Sequence, residues 1–168
     1  YVIDPGIKGM ETIARLLKTR NTADEITDYS RATIVVRDFQ SIYWCLEELK
    51  RYFNILSIDD HYLHPYKGMY RDINVVFEDP ENMHIGEIQI NSQAMVAFKN
   101  IIGHDIFDKI RIIQAREKLE NRPLTKEENE IIEDLTLMSK IGYESAFKKS
   151  CESIRIGIYG ICINNNQV

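Results

Sequence analysis

Glu87 and Gln89 stand two residues apart in a run, Ile85 to Asn91, where Ile85, Glu87, Gln89 and Asn91 alternate with Ile88 and Ile90. A strand places residues two apart on one face, so a carboxylate and a carboxamide project together from a sheet. Such a carboxylate can accept a proton, and the amide beside it can both donate and accept hydrogen bonds. Upstream, Lys67, Tyr70 and Arg71 offer two cations around an aromatic ring. That set suits a base to stack and a phosphate to neutralise. Asp28, ahead of the β-branched stretch Thr33 to Val36, is a second acidic candidate. Taken singly, each has an ordinary reading: a solvated strand face for Glu87 and Gln89, a turn cap for Asp28.

The elements that must position these residues follow from periodicity. Ile73, Val75 and Phe77 alternate against Arg71, Asn74 and Val76. The turn-rich Glu78 to Asn82 then leads into the Glu87 run, which predicts a β-hairpin. Asp28 to Val36 reads as a buried strand, and 54–60 as a short or edge strand. A first helix is expected over about Lys8 to Lys18, and a second over Phe39 to Phe53 on Ile42, Tyr43, Leu46 and Leu49, with Trp44 and Cys45 as packing residues. Asp60, His61 and His64 fit no metal-ligand spacing and read as loop residues. Ser92 reads as the N-cap of a long helix interrupted near Gly103 and carrying Ile106, Ile110, Ile113 and Leu119. After Asn121-Arg122-Pro123, Thr125 and Glu128 form a capping box for a last helix with the stripe Ile131, Ile132, Leu135, Met138, Ile141 and Ala146. A terminal strand is expected over Ile154 to Ile163. The expectation is a single α/β (α+β) domain: a mixed β-sheet flanked by helices over 5–100, a C-terminal helical pair over 101–153, then strand and tail.

A chain of 168 residues with 44% hydrophobic and 28% charged residues can build such a core without a metal or disulfide. The net charge of -5 gives no general footprint for duplex DNA. Cys45, Cys151 and Cys162 are far apart and odd in number, as expected of a cytoplasmic, reducing setting. No apolar run approaches the roughly 20 residues that span a bilayer. The chain opens at Tyr1 rather than Met, which reads as an excised piece of a longer protein.

KGMYRDIN followed by GEIQINSQAM resembles the synthetase domain of the RelA/SpoT (p)ppGpp synthetases, including small and toxin-like alarmone synthetases. The resemblance implies a nucleotidyltransferase-like fold and an ATP-dependent pyrophosphokinase. Such an enzyme moves the β,γ-pyrophosphate of ATP to the ribose 3'-hydroxyl of an acceptor: GDP or GTP, an adenine nucleotide, or a tRNA end. It implies that Lys8, Thr12 and Arg15 bind ATP phosphates, and that Asp28 and Glu87 hold Mg2+. Glu87 is implied as the base, with Gln89 beside it. Tyr70 is implied under the acceptor base, with Lys67, Arg71 and Asn74 around the acceptor. It also allows a homo-oligomer and, for a toxin delivered to a target cytoplasm, an inhibitory partner. Three positions depart from the pattern: Gly6 for an arginine (a role Arg37 could assume), Asn74 for a histidine, and Asn91-Ser92 for Arg-Thr. Arg31, three residues after Asp28, replaces an arginine expected at five. These departures keep a second reading open, an inactive nucleotide-binding or helix-mediated interaction module. If the family reading holds, Asp28 and Glu87 approach within about 4 to 8 Å over one ion.

Overall fold

The structure, a computed structural model, describes residues 1–4, 30–81 and 83–152. The first expected helix with Lys8, Thr12 and Arg15, together with Asp28 and the last expected strand, lies outside these residues. The described elements are β1 (Val2–Ile3), β2 (Arg31–Val36), α1 (Phe39–Tyr52), β3 (Asn54–Asp60), β4 (Ile73–Glu78), β5 (Ile85–Ser92), α2 (Gln93–Phe98), a π-helical turn (Lys99–Gly103), α3 (His104–Leu119) and α4 (Lys126–Glu152). The strands form one mixed sheet ordered β1-β2-β5-β4-β3. Only β2 and β5 run parallel; the other pairs are antiparallel.

One face of the sheet is apolar. Ile73 and Val75 of β4 and Ile88 and Ile90 of β5 pack there against Ile42, Leu46 and Leu49 of α1. Burying each such side chain is worth about 1.5–3 kcal/mol. α1 starts where Asp38 accepts hydrogen bonds from the Ser41 amide (3.0 Å) and hydroxyl (2.7 Å). Lys50 and Arg51 in its last turn complement the helix dipole. Trp44, expected to pack, is 72% exposed. It lies two residues from Ile42 and Leu46, nearly opposite the buried stripe.

Ser92 caps α2 as expected, accepting from the Met95 amide at 3.3 Å. The interruption near Gly103 is the π-turn. A side chain on Gly103 would meet the Tyr143 hydroxyl, and one on Gly142 would meet the Phe98 ring. These two glycines let the helices close on each other. The capping box also forms: Glu128 N–H donates to Thr125 Oγ1 (3.2 Å), and Thr125 N–H donates to the Glu128 carboxylate (2.9 Å).

Of the expected stripe on α4, Ile132 and Ala146 are buried, but the face is otherwise shifted. Glu128, Ile132, Ser139, Tyr143, Ala146 and Ser150 are buried, whereas Ile131, Met138 and Ile141 are exposed. Small and polar residues set the phase. Ser139 Oγ donates to Gly68 O at 3.0 Å, and the Ser150 and Ser92 hydroxyls are 2.7 Å apart. These contacts draw α4 onto α2 and the 66–70 loop as well as onto α3, and turn the aliphatic stripe outward. Among the described residues no helix is long and apolar enough to cross a membrane.

Candidate active site

The second face of the sheet is polar, and ladder register decides which side chains share it. Arg31, Glu87 and Val76 lie abreast on β2, β5 and β4. One step along, Thr33, Gln89, Asn74 and Asp59 form the next row across four strands. Residues abreast in a ladder face the same side. Glu87 and Gln89 therefore project together, as the alternation predicts, while Ile88 and Ile90 enter the core. The Glu87 amide donates to the Ser30 carbonyl at 2.9 Å, so the entry to β2 is tied to this carboxylate's own backbone.

Beside these rows lies a buried polar hub around Asp72, which is only 2% exposed. His61 Nδ1 stands 2.8 Å from the Asp72 carboxylate. Burial pushes the Asp72 carboxyl above its ordinary range, and His61, Tyr70 and Lys99 restrain the rise. Burial likewise lowers the Lys99 ammonium, with Asp72 opposing. The His61 ring stacks on Tyr66, centroids 3.9 Å apart. Burial and the carboxylates of Asp72, Asp59 and Glu87 push the Tyr66 hydroxyl up to about 12. The Tyr66 ring thus borders the hub through His61.

The resemblance puts Tyr70 under the acceptor base; here it lines a cavity beside Lys67 and is also held as a post. Its hydroxyl accepts from Asn91 Nδ2 (2.8 Å) and Lys99 Nζ (3.4 Å). Its ring lies parallel to Tyr66 at 5.8 Å and edge-on to Tyr143 at 5.2 Å. Asn91 is buried and also accepts from the Tyr62 hydroxyl at 3.1 Å. Tyr66 is the exposed aromatic here, and sequence reasoning passed over it. The only signal was an aromatic residue directly before Lys67.

Arg71 does not join the site. Arg71 precedes β4, and its side chain goes to the side of the sheet where Phe147 packs rather than to the Asn74 row. Its guanidinium lies 4.4 Å from the centre of the Phe147 ring. Nε and Nη1 are buried without a hydrogen-bond partner among the described residues, and burial lowers its pKa while Glu144 supports its charge. Arg37 pairs with Asp38 at 3.4 Å, at the start of α1.

Lys67 lines a cavity of about 550 Å³ between the 66–70 loop, the π-turn with α3, and α4. Tyr66, Tyr70, Lys99, Phe107 and Tyr143 are among its walls. For magnesium, the described donors fit in kind. Glu87 supplies a carboxylate, and the Asn74 Oδ1 atom, one row away, is buried without a partner among the described residues. No group of three His, Cys, Asp or Glu side chains converges among the described residues. Magnesium needs only one or two protein carboxylates when phosphates and water complete its shell.

No protein-family model matches the chain, and no curated protein matches its sequence. Solved structures do. The chain is similar to small alarmone synthetase 2 from Bacillus subtilis, with TM-score 0.67 and 21% identity over 93% of this chain and 79% of that one. It is also similar to small alarmone synthetase 1 from Bacillus subtilis bound to its product pppGpp, at TM-score 0.70 and 17% identity over 93% and 76%. A GTP pyrophosphokinase family protein from Streptococcus pneumoniae aligns at TM-score 0.56 and 17% identity over 88% and 73%. At such identities the likeness is one of fold, and the fold is that of the alarmone synthetases.

Proposed function

We propose that this chain is an ATP-dependent pyrophosphokinase acting on the 3'-hydroxyl of a nucleotide or nucleotide-ended acceptor. The observation that carries the reading is the register of the polar face: Glu87 and Gln89 beside Arg31, Thr33 and Asn74 on an alarmone synthetase fold. The acceptor 3'-oxygen bonds to the β-phosphorus of ATP, the bond from that phosphorus to the α,β-bridging oxygen breaks, and AMP leaves with the oxygen. Glu87 takes the hydroxyl proton, and Gln89 orients the ribose. Arg31, abreast of Glu87, offsets charge on the transferring group. Lys8, Thr12 and Arg15 hold the ATP phosphates. Magnesium, when bound, neutralises phosphate charge and makes the acceptor hydroxyl more acidic. Glu87 and Asp28 would hold it.

Incubation with Mg-ATP and a panel of GDP, GTP, ADP, AMP and tRNA tests the reading by AMP release. Glu87→Gln is expected to lower the rate by about 100-fold or more, as for loss of a general base, with an unchanged circular dichroism spectrum. AMP release from no acceptor would overturn the reading. ATP affinity without turnover would instead favour the binding module, to which the structural use of Asn91 and the withdrawal of Arg71 lend support.

A further inference from the structure

We infer that α4 is an assembly element: a second copy of this chain packs antiparallel against its outward face. This pairing holds whether or not the chain transfers pyrophosphate. Ile131, Asp134, Met138, Ile141, Ser145 and Lys148 follow one another at alternating steps of three and four residues. That is the heptad spacing of a helix–helix seam, in which a repeat of about 3.5 residues keeps one line facing a partner helix. The line is apolar at its centre and charged toward its ends. Ile131 is 48% exposed, Met138 50% and Ile141 62%, with Leu137 open beside them. Ser139, Tyr143 and Ala146 bind α4 to the body of the molecule along a different side of the helix, which turns this line outward.

Charge selects both the occupant and its direction. The exposed acids Glu127, Glu130, Glu133 and Asp134 fall in the first half of α4, and the exposed lysines Lys140, Lys148 and Lys149 in the second. Lys126, which pairs with Glu130 at 3.6 Å, runs against this division, as do Glu144 and Glu152. A parallel copy would set like charges against like. An antiparallel copy sets each acidic half against a basic one, so the helix is complementary to itself about a twofold axis. With that axis level with Ser139 and Lys140, Met138 meets the partner's Ile141, and Ile141 meets the partner's Met138. Glu130 then lies beside the partner's Lys149, and the aliphatic stem of the partner's Lys148 covers Ile131.

Sedimentation equilibrium on the full chain tests this. The expected mass is an even multiple of 19.7 kDa. Ile141→Asp, and separately Met138→Asp, should halve it with an unchanged circular dichroism spectrum, because both side chains are exposed in the single chain. The direction is tested by charge. Glu127→Lys combined with Glu130→Lys should weaken assembly by about tenfold or more, since attraction at both ends of the pair becomes repulsion. Lys148→Glu combined with Lys149→Glu should do the same. Mixed in equal amounts, the two double variants should associate within about threefold of the unmodified chain, because each then meets its opposite. A parallel pair would instead leave each double variant as it was. A single-chain mass at the highest soluble concentration would overturn the inference. So would an assembly that survives both Ile141→Asp and Met138→Asp, double variants that associate as the unmodified chain does, or weakening that mixing does not rescue. The readouts are mass and dissociation constant rather than AMP release, so assembly and pyrophosphate transfer can each fail alone.

Discussion

Asp72 shows how much one side chain organises here. It is an aspartate between two residues that sequence reasoning favoured, Arg71 and Asn74, and it was given no role. Buried to 2%, it fixes His61 through a 2.8 Å contact and lies next to the Tyr70 hydroxyl and Lys99. His61 in turn carries the stacked Tyr66 ring. Removing the carboxylate leaves buried donors without their acceptor, which costs about 1–3 kcal/mol. Asp72→Ala is therefore expected to lower the unfolding free energy by that amount, read as a lower urea midpoint, and to reduce AMP release by letting Tyr66 move. Full stability in Asp72→Ala would show that the hub does not support the loop. Asp72 was hidden because burial, not residue type, gives it its role, and burial there comes from the long-range packing of α4 and the π-turn.

At the level of elements, what is local was legible. The hairpin of β4 and β5, the caps at Ser92 and Thr125, and the break near Gly103 each depend on a few adjacent residues. The phase of α4 was not legible, because Ser139, Gly142 and Ser150 set it by what they allow to approach, while the aliphatic residues suggested another face. Gly142→Ala tests this. A methyl group there meets the Phe98 ring, and such overpacking costs about 1–3 kcal/mol. The expected result is a lower thermal midpoint, and an unchanged midpoint would mean that α2 and α4 do not need their close approach. The capping box adds a pH dependence. Arg122, then the Thr125 amide and Arg116, hold the Glu128 carboxyl at about 2, against an ordinary value of 4.5. A depressed acid stabilises the fold fully above its unfolded value and loses that contribution as pH falls through the folded one. Thermal midpoints followed at 222 nm should thus fall between about pH 4.5 and 2. In Glu128→Gln that part of the fall should be missing.

The whole molecule supplies what no stretch of sequence could: the order of strands. Glu87 and the entry to β2 are far apart in the chain, and only the parallel pairing of β2 with β5 makes Arg31 the neighbour of Glu87 and Thr33 the neighbour of Gln89. An order with β2 at the opposite edge would have kept every motif and separated the chemistry. Asp28 and Glu87, 59 positions apart, depend on that same pairing. If both act on one magnesium ion, removing either carboxylate removes most of what the ion contributes, so the losses do not add. Asp28→Asn and Glu87→Gln are each expected to lower AMP release by about 100-fold or more, and the double variant by little beyond the worse single one. The magnesium concentration for half-maximal rate should rise in Asp28→Asn. Losses that multiply in the double variant would mean that the two carboxylates act independently, and the shared ion would have to be given up even if the enzyme proves to be a pyrophosphokinase.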